Sequence, residues 1–158
     1  LLTGKHNLLY RGMLEEIKEG ASQLNLSLNP NIIMTDFESA AISAFKFQFP
    51  GSNLKGCFFH FCQSIFRKIV DLGLKTYYKD EFELWCKKVM CLAFIQPSKV
   101  MDAYIELLDN PPPIPSNMQD KFETFQDYIT NNWIEGPFPI YLWNLWDQDE
   151  NRTTNKAE

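Results

Sequence analysis

The chain has 158 residues, 45% hydrophobic and 15% aromatic, with a formal net charge of −5. That apolar content is enough for a packed core and excludes intrinsic disorder, while no run approaches the ~18–20 apolar residues that span a bilayer. Four cysteines (Cys57, Cys62, Cys86 and Cys91) are too few for a disulfide scaffold and read as reduced thiols of a cytosolic or nuclear protein. A negative charge argues mildly against a self-sufficient nucleic-acid-binding domain, because phosphate contacts come from Lys and Arg. The sequence begins Leu1-Leu2-Thr3, with no initiator Met and no signal-peptide pattern, and reads as a fragment or an excised domain.

From Asn7 to Leu24, apolar residues at Leu9, Met13, Ile17, Ala21 and Leu24 fall at helical spacing, with Arg11, Glu15, Lys18 and Glu19 off the stripe. Asn29-Pro30 breaks the chain. Asn31 to Thr35 is short, apolar and β-branched and predicts a buried strand. Thr35 with Glu38 three residues on has capping-box form and predicts a helix over Phe37 to about Phe49, apolar nearly all round and therefore buried. Pro50-Gly51 ends it. Leu54 to Phe59 predicts a second strand, and Phe61, Ile65, Ile69 and Leu72 a further helix.

Alternation of helices and strands implies a parallel α/β layer, since parallel neighbours need helical crossovers. After Gly73 the strand signals stop. Phe82, Trp85, Val89 and Leu92 mark one helix, and Val100, Ala103 and Leu107 another. A stiff Pro111–Pro115 spacer precedes a third, marked by Met118, Phe122, Phe125, Ile129 and Trp133. Phe138 to Trp146 is aromatic and broken by prolines. The expected organisation is an α/β part over residues 1–75, an all-helical part over 76–150, and a short polar tail, 151–158.

Asp36 stands where a buried strand gives way to a helix, and ligands favour the carboxyl ends of strands in open α/β sheets. An acid in a helix's first turn also simply complements the helix dipole, so both roles stay open. Cys57-x-x-His60, with Cys62 close by, has ligand types that share zinc. A structural zinc site wants four ligands, however, and Cys86 and Cys91 make no tidy second pair, so no stoichiometric zinc is expected. Cysteine among phenylalanines is often a small buried hydrophobe. A Cys57–His60 nucleophilic dyad has neither an oxyanion hole nor a third orienting group in view. Glu158, three residues after Asn155, reads on its own as a solvated carboxylate at a helix start.

Together, Ile33-Met34-Thr35-Asp36-Phe37-Glu38-Ser39-Ala40-Ala41, then Phe49-Pro50, then Gly56-Cys57-Phe58-Phe59-His60-Phe61-Cys62-Gln63 and Arg67-Lys68 resemble the central block of Mutator-like-element transposases. The tail Arg152 to Glu158 is similar to the family's approach to its final acid, and Gly4-Lys5 followed by Tyr10 resembles its lead into the first long helix. The resemblance implies a partial ribonuclease-H-like α/β core, parallel strands with helical crossovers, followed by an all-helical insertion. It implies a three-acid Mg²⁺ centre acting on DNA in the nucleus, with Asp36 matching the second Asp and Glu158, on the final catalytic helix, matching the Glu. For Cys57 and His60 it implies placement without a settled role. No acid among Leu1 to His6 matches the first Asp. The expectation is therefore a transposase fragment that is inactive alone and holds Mg²⁺ weakly, with the parent's partners being transposon-end DNA and no membrane. A domesticated remnant serving as a DNA- or protein-interaction module is the alternative.

Overall fold

The computed structural model describes residues 2–148, and within 2–6 the backbone only. The expected tail, 151–158, with Glu158, lies outside the described residues. The chain divides into two compact units, Leu1–Cys57 and Phe58–Glu158.

The first unit is a long helix followed by one parallel strand–helix–strand step. Helix α1 spans Leu2–Gln23, strand β1 Ile32–Thr35, helix α2 Ser39–Gln48 and strand β2 Asn53–Gly56. The two strands are parallel neighbours, in register from Ile32 opposite Asn53 to Thr35 opposite Gly56. The strands anticipated at residues 31–35 and 54–59 are thus both present and adjacent, but the second is shorter at its end. The reason lies across the ladder. β1 stops at Thr35, whose carbonyl accepts the Cys57 N–H at 2.8 Å, and among the described residues β1 carries the ladder no further. Phe58 and Phe59, expected in the strand, instead open the next helix.

Helix α2 starts at Ser39 rather than Phe37. The anticipated Thr35–Glu38 capping box is not made. Thr35 remains in β1, and the cap residue is Glu38, which supplies no side-chain cap hydrogen bond. The expected burial of this helix is found at Ala41, Ile42 and Ala44.

In α1 the periodic stripe is not the packed face. Leu9 is 71% exposed and Met13 48% exposed. The packed side is offset around the helix. Buried Leu14, with Tyr10, packs against Ala44, Phe45 and Phe49 of α2 and its end and against Ile33 of β1. Polar ties run along both helices in the same sense. Asn7 donates to the Ala40 carbonyl at 3.2 Å, Gln48 Nε2 donates to Glu15 at 2.9 Å, and Lys18 Nζ to the Gln48 carbonyl at 3.0 Å.

The second unit is helical, and no strand occurs among its described residues. It contains α3 (Phe58–Asp71), α4 (Asp80–Cys91), α5 (Val100–Asp109), α6 (Gln119–Ile129) and α7 (Ile140–Trp143), joined by short 3₁₀ turns, with one π turn at Thr130–Ile134. Helix α3 buries Phe61, Ile65 and Ile69, one face at i, i+4 spacing. Its end is a Schellman cap. Leu74 N–H reaches the Ile69 carbonyl and Gly73 N–H that of Val70, both at 2.9 Å, with Gly73 at φ +71°.

Aromatic side chains dominate this unit's core. Phe61 stacks on Trp143, centroids 5.1 Å apart and planes 8° from parallel, and meets Trp133 edge-on at 4.8 Å. Phe82 and Trp85 of α4 meet Phe122 of α6 at 5.9 and 5.4 Å. The indole N–H of Trp85 donates to the Leu107 carbonyl at 2.9 Å, tying α4 to α5. Buried Asn144 donates to the carbonyls of Leu92 and Ile95 and accepts from Trp146 N–H, and with the Leu145 N–H on the Ala93 carbonyl it ties down the broken aromatic stretch near the end of the unit. Among the described residues no helix is long and apolar enough to cross a membrane.

Candidate functional site

β1 delivers Asp36 to the carboxyl end of a parallel strand, exposed to solvent. The chain turns there because the Asp36 carboxylate serves its own backbone. Oδ1 accepts the N–H of Glu38 at 3.3 Å, the two-residue reach typical of an Asx turn. Glu38, at φ −86° and ψ 112°, then begins α2 through its carbonyl, which accepts Ile42 N–H at 3.0 Å.

The Glu38 side chain leaves the helix start and accepts a hydrogen bond from the Tyr10 hydroxyl of α1 at 2.7 Å. That bond to a carboxylate, then burial, then the charges of Glu38 and Asp36 raise the Tyr10 phenol above its ordinary value. Between these acids, Phe37 lies over Gly56 at the end of β2. A Cβ on Gly56 would stand 2.3 Å from the far edge of that ring, so the ring keeps this position over the strand end because residue 56 has no side chain. Asp36 is therefore framed from three sides within the first unit: by β1, by Tyr10 of α1 through Glu38, and by the Phe37–Gly56 contact.

What this arrangement can do follows from the donor set. An exposed carboxylate is a hard oxygen ligand suited to Mg²⁺. Glu38 is its acidic neighbour in the turn, but that carboxylate is engaged by Tyr10. Among the described residues no three His, Cys, Asp or Glu side chains gather closely enough to hold a metal ion. The described residues fit one ligand of a cation centre and do not by themselves assemble a pair of ions.

Cys57 and His60 straddle a strand-to-helix junction, as their setting among phenylalanines implied, but the junction comes earlier than expected, at Cys57 rather than after Phe59. Cys57 follows β2, fully buried, and His60 lies in the first turn of α3 with its carbonyl accepting Ser64 Oγ at 2.8 Å and its ring 5.5 Å from that of Phe59. The division between the two compact units falls inside the motif, between Cys57 and Phe58. Cys86 is buried within α4, which pushes its thiol well above the ordinary range, whereas Cys91 is exposed.

Sequence reasoning singles out Asp36 as a candidate but gives no contact between the residues that frame it. Tyr10 lies 28 positions before Glu38 and is marked only by its place after Gly4-Lys5, with no sign that it reaches Glu38. Gly56 carries no signal that a ring covers it.

Residues 1–64 match the family model described as the MULE transposase domain. No curated protein and no solved structure matches the chain. The matched stretch takes in the whole first unit, Asp36 and its frame, and the Cys57–His60 motif. This match, over residues 1–64, is to a MULE transposase domain and supports a MULE transposase fragment.

Proposed function

We propose that this chain is a piece of a three-acid DNA transposase whose whole enzyme breaks and joins DNA strands with Mg²⁺ in the nucleus. In this reading Asp36 is one of the metal-binding acids and Glu158, at the other end of the sequence, is the last. The observation that carries it is the exposed Asp36 carboxylate at the end of a parallel strand, inside the stretch matched by the transposase model. Two-ion phosphoryl transfer sets the ions ~3.5–4 Å apart, one activating the attacking oxygen and one stabilising the leaving oxygen. When bound, Mg²⁺ supplies that charge. The chain's own contribution is to hold the Asp36 oxygens at the strand end, exposed to solvent.

The 158-residue chain by itself cuts and joins no DNA in this reading. Among its described residues one candidate acid stands at a strand end, and β1 is preceded by a helix and no strand. Its net charge of −5 also gives few phosphate contacts. The test is nicking of a supercoiled plasmid in Mg²⁺ or Mn²⁺, by this chain and by a longer transposase carrying it. The expected result is no nicking by the chain, and nicking by the longer protein that Asp36→Asn and Glu158→Gln each abolish while circular dichroism stays unchanged. Nicking by the 158-residue chain that Asp36→Asn removes would refute the claim of inactivity. Nicking by the longer protein that survives Asp36→Asn would refute the catalytic role. A longer protein that binds DNA without cutting it would favour the domesticated-remnant alternative.

A further inference from the structure

We infer that Tyr10 and Glu38 are positioning residues that hold the Asp36 carboxylate in one rotamer and keep the Glu38 carboxylate away from it. This rests on the reading of Asp36 as a metal-binding acid and adds how the chain prepares that acid.

An aspartate on an exposed turn ordinarily samples several staggered rotamers. Here one carboxylate oxygen, Oδ1, accepts the Glu38 N–H at 3.3 Å, which ties the carboxylate to its own turn. The restraint works only while the Glu38 backbone stays at the angles that point its N–H at Asp36. A glutamate in such a turn has a flexible side chain and two competing uses: it can turn back onto the unpaired N–H groups of the helix start, or towards any cation that Asp36 binds. The Tyr10 hydroxyl at 2.7 Å removes both options and fastens the turn to α1. α1 is itself fixed to α2 by buried Leu14 and by Asn7 on the Ala40 carbonyl, so the anchor is rigid. The couple therefore holds the Asp36 carboxylate in the turn as a ligand and withholds Glu38 as a second.

The experiment uses the full 158-residue chain and side-chain NMR couplings of Asp36, which report its rotamer directly. Wild type should show one staggered rotamer. Tyr10→Phe and Glu38→Ala should each give rotamer-averaged couplings. Glu38→Gln, whose amide oxygen still accepts the hydroxyl, should keep the wild-type pattern.

Mn²⁺ line broadening at the Asp36 amide gives a second readout. Affinity should fall about tenfold in Tyr10→Phe, the low end for a partner that orients a ligand. It should stay near wild type in Glu38→Gln and vanish in Asp36→Asn. Unchanged Asp36 couplings in both Tyr10→Phe and Glu38→Ala would overturn the inference. So would a loss of Mn²⁺ in Glu38→Gln as large as in Asp36→Asn, since that would make Glu38 a ligand. Mn²⁺ broadening indifferent to Asp36→Asn would instead sink the metal reading of Asp36, and the couplings would still decide the positioning claim.

Discussion

Gly56→Ala tests how tightly the end of β2 is fitted under the Asp36 turn. The new Cβ would sit 2.3 Å from one atom of the Phe37 ring and 2.4 Å from a second. Both are at the far end of the side chain, so the ring can swing aside at the expense of its packing. Overpacking costs about 1–3 kcal/mol, and replacing a strand glycine by alanine returns about 0.5–1 kcal/mol. The net lies between about 0 and 2.5 kcal/mol, and the middle of both ranges gives a local destabilisation of about 1.25 kcal/mol, roughly an 8-fold change in an opening equilibrium. The Cys57 amide reports on it, because its N–H donates to the Thr35 carbonyl across the end of the ladder at 2.8 Å. Its native-state hydrogen exchange should therefore speed up by that factor. In a Phe37→Ala background the clash is gone, and Gly56→Ala should be neutral or slightly protective. The coupling between the two sites, about 1–3 kcal/mol, isolates the contact. Exchange at Cys57 that ignores Gly56→Ala, or that speeds up equally with and without the Phe37 ring, would refute the reasoning.

Three further expectations concern the helical unit. Gly73→Ala places a Cβ at φ +71° in the Schellman cap of α3 and should cost about 1–2 kcal/mol in urea denaturation; no change in the midpoint would mean that the cap does not need the left-handed residue. Phe61→Ala removes a buried ring stacked on Trp143 and edge-on to Trp133, so about 3–5 kcal/mol should be lost together with a red shift of indole fluorescence. A loss below about 1 kcal/mol, within the range of an ordinary surface substitution, would contradict that packing. Because burial raises the Cys86 thiol, its reactive thiolate is scarce near pH 8, and iodoacetamide should label exposed Cys91 first; equal labelling of the two by mass spectrometry would show Cys86 to be accessible.

The sequence alone determined the kinds of element and the candidate acid. β-branched Ile32 and Ile33 after Asn29-Pro30, the alanine-rich stretch before Phe49-Pro50, and the loss of strand signals after Gly73 are local patterns, written in the period of each element, and the structure has each of them. Asp36 was legible for the same reason, as the first polar residue after an apolar strand.

What only tertiary structure decided are matters of partner and face. β2 ends at Gly56 because β1 turns away at Thr35, a limit set by the neighbouring strand and invisible in Cys57-Phe58-Phe59. The side of α1 that packs is the one carrying Tyr10 and Leu14, although Leu9, Met13 and Ile17 make the more regular apolar stripe. Periodicity reports that a helix has an apolar side, while α2 and β1 choose which side they cover. Thr35 and Glu38 have the spacing of a capping box, yet Glu38 bonds Tyr10, because a hydroxyl brought in by a distant helix competes for the same carboxylate. The frame around Asp36 is built from such long-range choices. Its acid is therefore readable from the chain, and the residues that hold it only from the fold.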